Sequence, residues 1–140
     1  MDSNYGAVVP IFIDLLSRGK RPTIYGTGQQ SRDFVHVHDV ARLLVNLATN
    51  EWPTPSKSIY NVGTGKAETF NCIAENIFKF YQDEEKNFNY IEMPDYLVPK
   101  YQNFTQANIK KLIEAGYDYD FYSIEEGVLS YLNDLKTSSA

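Results

Sequence analysis

The chain is 140 residues long, 43% hydrophobic and 14% aromatic, with a formal net charge of −5. That length suits one domain with a real core, and the acidic balance leaves no basic stripe to meet a nucleic-acid backbone. A single cysteine, Cys72, excludes an internal disulfide. No apolar run approaches the ~20 residues of a membrane span or reads as a signal peptide, so a cytoplasmic protein without a membrane partner is expected.

Residues 5–18 read as a helix, with Val9, Phe12, Ile13 and Leu16 on one stripe and Gly19 at its C-cap. Thr23, Ile24 and Tyr25 make a short strand. Gly26 and Gly28 then punctuate a turn, and Phe34, Val35, His36 and Val37 alternate as a second strand. Asp39 stands as N-cap to a helix over 40–49, whose apolar face holds Val40, Leu43, Leu44, Leu47 and Ala48. Two prolines make 50–57 a loop before a strand over Ser58–Val62 that ends at Gly63-Thr-Gly65. Thr69 caps a helix burying Phe70, Ile73, Ala74, Ile77, Phe78 and Tyr81. The charged run 83–86 reads as a solvated turn, Phe88–Met93 as a strand stopped by Pro94, and 94–104 as an irregular aromatic loop. Thr105 opens a helix through Ala115 that Gly116 closes. Ser123 with Glu126 forms a capping box for a last helix through Leu135, leaving 136–140 as a frayed tail. Short strands mixed with helices give an α/β domain with α+β character.

Arg32 sits between the glycine turn and the strand after it. A guanidinium fixed there can hold a phosphate by paired hydrogen bonds. The alternative is an ion pair with a nearby carboxylate such as Asp33, and the residues alone slightly favour it. The Gly63–Thr69 run lacks the spacing and Lys-Ser/Thr pair of a Walker loop, so it reads as a tight strand-to-helix turn. His36 and His38 share a strand face beside Asp39, but no third ligand completes a metal site. No nucleophile is spaced to a histidine, and no Gly-x-Gly-x-x-Gly is present. Tyr96 and Lys100 are separated by Pro99, which spoils a helical Tyr-x-x-x-Lys pair, so no catalytic residue is assigned.

The run from Pro22 to Val40, Pro-Thr-Ile-Tyr-Gly-Thr-Gly-Gln-Gln-Ser-Arg-Asp-Phe-Val-His-Val-His-Asp-Val, resembles a hallmark of the extended short-chain dehydrogenase/reductases acting on nucleotide sugars. Further runs begin at Tyr60 (Tyr-Asn-Val-Gly-Thr-Gly), Ile91 (Ile-Glu-Met-Pro-Asp), Tyr101 (Tyr-Gln-Asn-Phe-Thr-Gln-Ala), Ala115 (Ala-Gly-Tyr-Asp) and Ile124 (Ile-Glu-Glu-Gly-Val). In this order they are similar to the C-terminal portion of the ADP-glyceromanno-heptose 6-epimerases within that family. The resemblance implies a substrate-binding lobe over 1–135 without the Rossmann nucleotide-binding half, with 39–62 packing against that absent dinucleotide lobe. It implies that Arg32 contacts the diphosphate, that Tyr25, Gly26 and Thr27 surround the nucleotide, and that Tyr101 contacts the substrate. Asn4 falls near a substrate-contacting serine of the family. Ile11 and Asp2 stand where the family has a histidine and a lysine. The cofactor implied for the intact enzyme is NAD or NADP, with none expected on this chain alone. The partners implied are a nucleotide-diphosphate sugar (ADP-heptose or a UDP-hexose), the dinucleotide-binding lobe and a second copy of the chain. Expected function is therefore the substrate-binding portion of a nucleotide-sugar epimerase, inactive without the cofactor lobe. The alternatives are a stand-alone nucleotide-sugar binding module and part of a UDP-sugar 4-epimerase or dehydratase.

Overall fold

Apolar stripes on three helices converge on one short strand, and the rest of the chain is arranged around that meeting point. The computed structural model describes residues 7–49, 59–85 and 87–138. In chain order the elements are α1 (Val8–Ser17), β1 (Thr23–Tyr25), β2 (Ser31–Arg32), α2 (Val37–Thr49), β3 (Glu68–Thr69), α3 (Phe70–Tyr81), β4 (Asn89–Ile91), a 3-10 turn (Val98–Lys100), α4 (Lys110–Glu114) and α5 (Ile124–Ser138). The main core joins Phe12 and Ile13 of α1, Ile24 of β1, Ile73, Ala74, Ile77 and Phe78 of α3, and Val128 and Leu132 of α5. A smaller cluster joins Leu43 of α2, Leu112 of α4 and Tyr117.

Among the described residues each strand pairs with one neighbouring strand over two or three residues. β1 runs parallel to β4 with Ile24 opposite Tyr90, and β2 runs antiparallel to β3 with Arg32 opposite Glu68. Ser31 is also bridged to Phe104: its N–H donates to the Asn103 carbonyl at 2.9 Å, and its carbonyl accepts from the Thr105 N–H at 3.2 Å.

Local signals set most helix ends. The Thr69 hydroxyl accepts from the Cys72 N–H at 3.1 Å, which caps α3 as expected. Ser123 and Glu126 exchange the two bonds of a capping box, at 2.9 and 3.2 Å. Helix α1 closes through Gly19 at φ 67°, with the Lys20 N–H on the Leu15 carbonyl at 2.9 Å.

Five elements differ from the sequence expectation. Residues 34–36 are not a strand, because the ladder forms at Ser31–Arg32, where Glu68–Thr69 and Phe104 supply partners. Helix α2 begins at Val37, so Asp39 is not its N-cap; the His36 imidazole takes that place, accepting from the His38 N–H at 3.2 Å. Asp39, only 1% exposed, instead accepts from the Tyr122 N–H at 2.9 Å and from Arg42 at 2.6 Å. Residues 59–62 find no strand partner among the described residues. The helix expected from Thr105 is confined to Lys110–Glu114, since the Thr105 and Ala107 N–H groups are drawn to Ser31 and Asp33. Helix α5 runs to Ser138, past Leu135, so 136–138 are helical rather than frayed.

Candidate anion-binding site

The turn after β1 is shaped by two left-handed glycines, Gly26 at φ 65° and Gly28 at φ 74°. A Cβ on Gly28 would lie 1.9 Å from the Asn71 side-chain oxygen. Asn71, in the first turn of α3, docks this turn: its N–H donates to the Gly28 carbonyl at 3.2 Å and its Nδ2 to the Thr27 carbonyl at 3.0 Å. The Tyr90 hydroxyl donates to Asn71 Oδ1 at 3.1 Å, and the Gly26 N–H donates to the Ile91 carbonyl at 2.8 Å. Gly26 and Thr27 remain exposed on this anchored backbone, next to half-buried Tyr25.

Arg32 lies on β2, four residues past Gly28. Its guanidinium carbon is 5.7 Å from the Phe70 ring centroid and 5.6 Å from that of Tyr101, so the cation sits against two aromatic faces. One N–H group donates to the Ser31 carbonyl at 2.8 Å. No carboxylate pairs with Arg32 among the described residues. A half-buried, aromatically braced guanidinium without a counter-ion is suited to an oxyanion.

The expected alternative, an Arg32–Asp33 ion pair, is not formed. Asp33 points to the Gly63–Gly65 turn, where Oδ1 accepts from the Thr64 N–H at 2.8 Å and its hydroxyl at 2.7 Å. Oδ2 accepts from the Gly65 N–H at 2.9 Å and the Ala107 N–H at 3.1 Å. Those amides could otherwise have cradled a phosphate. A Cβ on Gly63 would come within 2.7 Å of the same carboxylate, so the turn is filled by the protein itself. The stretch is thus a turn filled from within, but not the expected strand-to-helix turn, since residues 59–62 are not a strand and β3 lies between the turn and α3.

Tyr101 and Tyr25, assigned separately from sequence, are joined by Gln30. Its Nε2 donates to the Tyr25 carbonyl at 3.0 Å and to the Tyr101 hydroxyl at 3.4 Å. Gln30, Asp33, Phe70 and Asn71 were not singled out from the sequence as site residues. Phe70 could have been suspected, since the Thr69 cap fixes it as the first residue of α3; nothing in the sequence marks Gln30. Asn4 lies outside the described residues.

The remaining reactive groups are elsewhere. Burial pushes the Cys72 thiol above its usual range, aided by Glu68, which disfavours the nucleophilic thiolate. Burial also holds the His36 imidazole below its ordinary value, with His38 adding to the effect. Among the described residues no three His, Cys, Asp or Glu side chains converge as a metal site. A cavity of about 360 Å³ lies between the start of α1, residues 34–37 and α5, and one of about 690 Å³ borders residues 117–126. Neither is lined by Arg32 or Tyr101. No helix among the described residues is long and apolar enough to cross a membrane.

The model of the NAD dependent epimerase/dehydratase family matches residues 1–63. Among solved structures, UDP-N-acetylglucosamine 4-epimerase from Methanobrevibacter ruminantium, in complex with UDP-N-acetylmuramic acid, is 28% identical with a TM-score of 0.72. The match covers 95% of this chain and 41% of that one. UDP-glucose 4-epimerase from Thermotoga maritima, with UDP-glucose, is 26% identical with a TM-score of 0.75, covering 97% and 42%. ADP-L-glycero-D-manno-heptose-6-epimerase from Helicobacter pylori is 21% identical with a TM-score of 0.68, covering 96% and 39%, a likeness of fold. The chain spans about two-fifths of the length of each of these structures, and the heptose enzyme is not singled out among them. The first 63 residues are thus similar to the NAD dependent epimerase/dehydratase family, and the fold is shared over nearly the whole chain with nucleotide-sugar epimerases.

Proposed function

We propose that this chain is the nucleotide-sugar-binding part of an NAD-dependent epimerase or dehydratase, in which Arg32 grips the diphosphate. The observation that carries the reading is the contrast between neighbours: Arg32 lacks a carboxylate partner among the described residues, while Asp33 is saturated by four donors. Tyr25, Gly26 and Thr27 flank the nucleotide in this reading, and Tyr101 touches the substrate next to Arg32. Two UDP-sugar epimerases match at 28% and 26% identity, which supports a UDP-hexose over ADP-heptose. The ordered motifs from Tyr60 onward support the heptose reading, and competition between UDP and ADP separates the two.

The dinucleotide-binding lobe is the partner proposed for the uncovered apolar side of α2 and the segment after it. Leu43 is buried, but Leu44 and Val45 are each 59% exposed and Ile59 is 86% exposed. Exposed large apolar side chains of this kind suit an interface. In this reading NAD supplies hydride transfer, and the present chain supplies grip and orientation of the sugar nucleotide.

Calorimetry with UDP and ADP tests the site. Arg32→Ala is expected to weaken diphosphate binding by about 1.5–3 kcal/mol, the worth of charge-assisted hydrogen bonds, with little change in Tm. Unchanged binding, or a loss of stability without a loss of binding, overturns the assignment.

A further inference from the structure

We infer that Gln30 is the positioning residue of this site: its buried carboxamide fixes the Tyr101 ring over the Arg32 guanidinium. The inference rests on the reading that Arg32 receives a diphosphate. Gln30 is 8% exposed, between an exposed Gln29 and a half-buried Ser31. Burying a primary amide is costly unless its hydrogen-bonding groups are met. Its Nε2 meets the Tyr25 carbonyl and the Tyr101 hydroxyl, and its main-chain carbonyl accepts from the Phe70 N–H at 3.1 Å. One residue therefore ties the Tyr101 hydroxyl to the end of β1, and its main chain holds the backbone at Phe70.

Tyr101 needs such a tie. It follows the 3-10 turn, and its successors Gln102, Asn103 and Phe104 are exposed. The bond from the Ser31 N–H to the Asn103 carbonyl sets the backbone two residues on, but it does not fix the rotation of the Tyr101 ring. A carboxamide suits the place because its NH2 donates to two oxygens at once; a carboxylate has no donor to offer, and a thioether or alkyl group only fills the space. With the ring held, Arg32 meets an incoming anion already braced, and less freedom is lost on binding.

The test uses the full chain labelled with 3-fluorotyrosine and titrated with UDP. The Tyr101 fluorine signal is identified as the one missing in Tyr101→Phe. Gln30→Met keeps the volume and removes the donors; it is expected to shift or broaden the Tyr101 signal and to weaken UDP binding about three- to tenfold. In the Tyr101→Phe background the same change should bring no further loss, because the residue acts through that hydroxyl. Gln30→Asn, too short to reach Tyr101, should give the same signature and serves if the methionine variant does not fold. An unmoved Tyr101 signal, or losses that simply add, overturns the role of Gln30 while leaving the site intact when Arg32→Ala still weakens UDP. If Arg32→Ala leaves UDP binding unchanged, the site reading itself fails and takes this inference with it.

Discussion

Helices α2 and α3 are of nearly equal length, yet they live in different surroundings. Helix α3 is enclosed by α1 and α5, and Ile73, Ala74, Ile77 and Phe78 are all 0% exposed. Helix α2 buries Leu43 together with two polar residues, Asp39 and Asn46, and leaves Val37, Leu44 and Val45 open. The difference shows where the fold closes on itself and where it offers a face to something else. It also explains the position of the anion site, whose aromatic brace, Phe70, is the first residue of the enclosed helix.

The largest expected effect of that contrast is in the core. Phe78→Ala should destabilise the chain by about 3–5 kcal/mol, through lost burial and the cavity left behind. Leu44→Ala should stay within about 0.5 kcal/mol. Chemical denaturation of both variants checks this, and a comparable loss at Leu44 would mean that α2 is as enclosed as α3. Capping gives a smaller effect. Thr69→Ala removes the acceptor for the Cys72 N–H and should cost about 1 kcal/mol, read from the same unfolding curves.

The smallest expected effect concerns the imidazole that starts α2. His36 is held below its ordinary value mainly by burial, so the folded state disfavours its protonation. The associated stability is present above the unfolded value and is lost as pH falls below about 6.5 toward the folded one. His38, Asp39, Asp134 and Tyr122 surround this ring, the two aspartates opposing the shift. Tm should therefore decline modestly on acidification through that range. His36→Asn, a capping residue that does not titrate, should flatten the decline; an identical slope would remove His36 from the account.

Local chemistry made α3 and the start of α5 legible, because a stripe, a Thr cap and a Ser-Glu box are all contained within a few residues. Two of the failures share one cause: the deciding partner is distant in sequence. The alternation over Phe34–Val37 satisfies a strand pattern, but the ladder needs Glu68 and Phe104. Asp39 has the chemistry of a cap, but Tyr122 claims its carboxylate from 83 positions away. The site was legible to the same extent. Arg32 stood out by type and place, whereas the saturation of Asp33 depends on the turn at 63–65 and on Ala107, and Gln30 depends on Tyr101, 71 positions on.

The saturation of Asp33 has a kinetic corollary. With Asp33 held by neighbouring donors instead of by Arg32, the Arg32 guanidinium is left to meet an anion at contact, although the chain as a whole carries −5. A nucleotide diphosphate approaching from afar thus meets repulsion first and attraction only at contact, the reverse of electrostatic steering. Added salt screens the long-range part more than the short-range part. Stopped-flow mixing with UDP should accordingly show association quickening as ionic strength rises while dissociation quickens as well; association that slows with salt would mean that the far field is attractive after all.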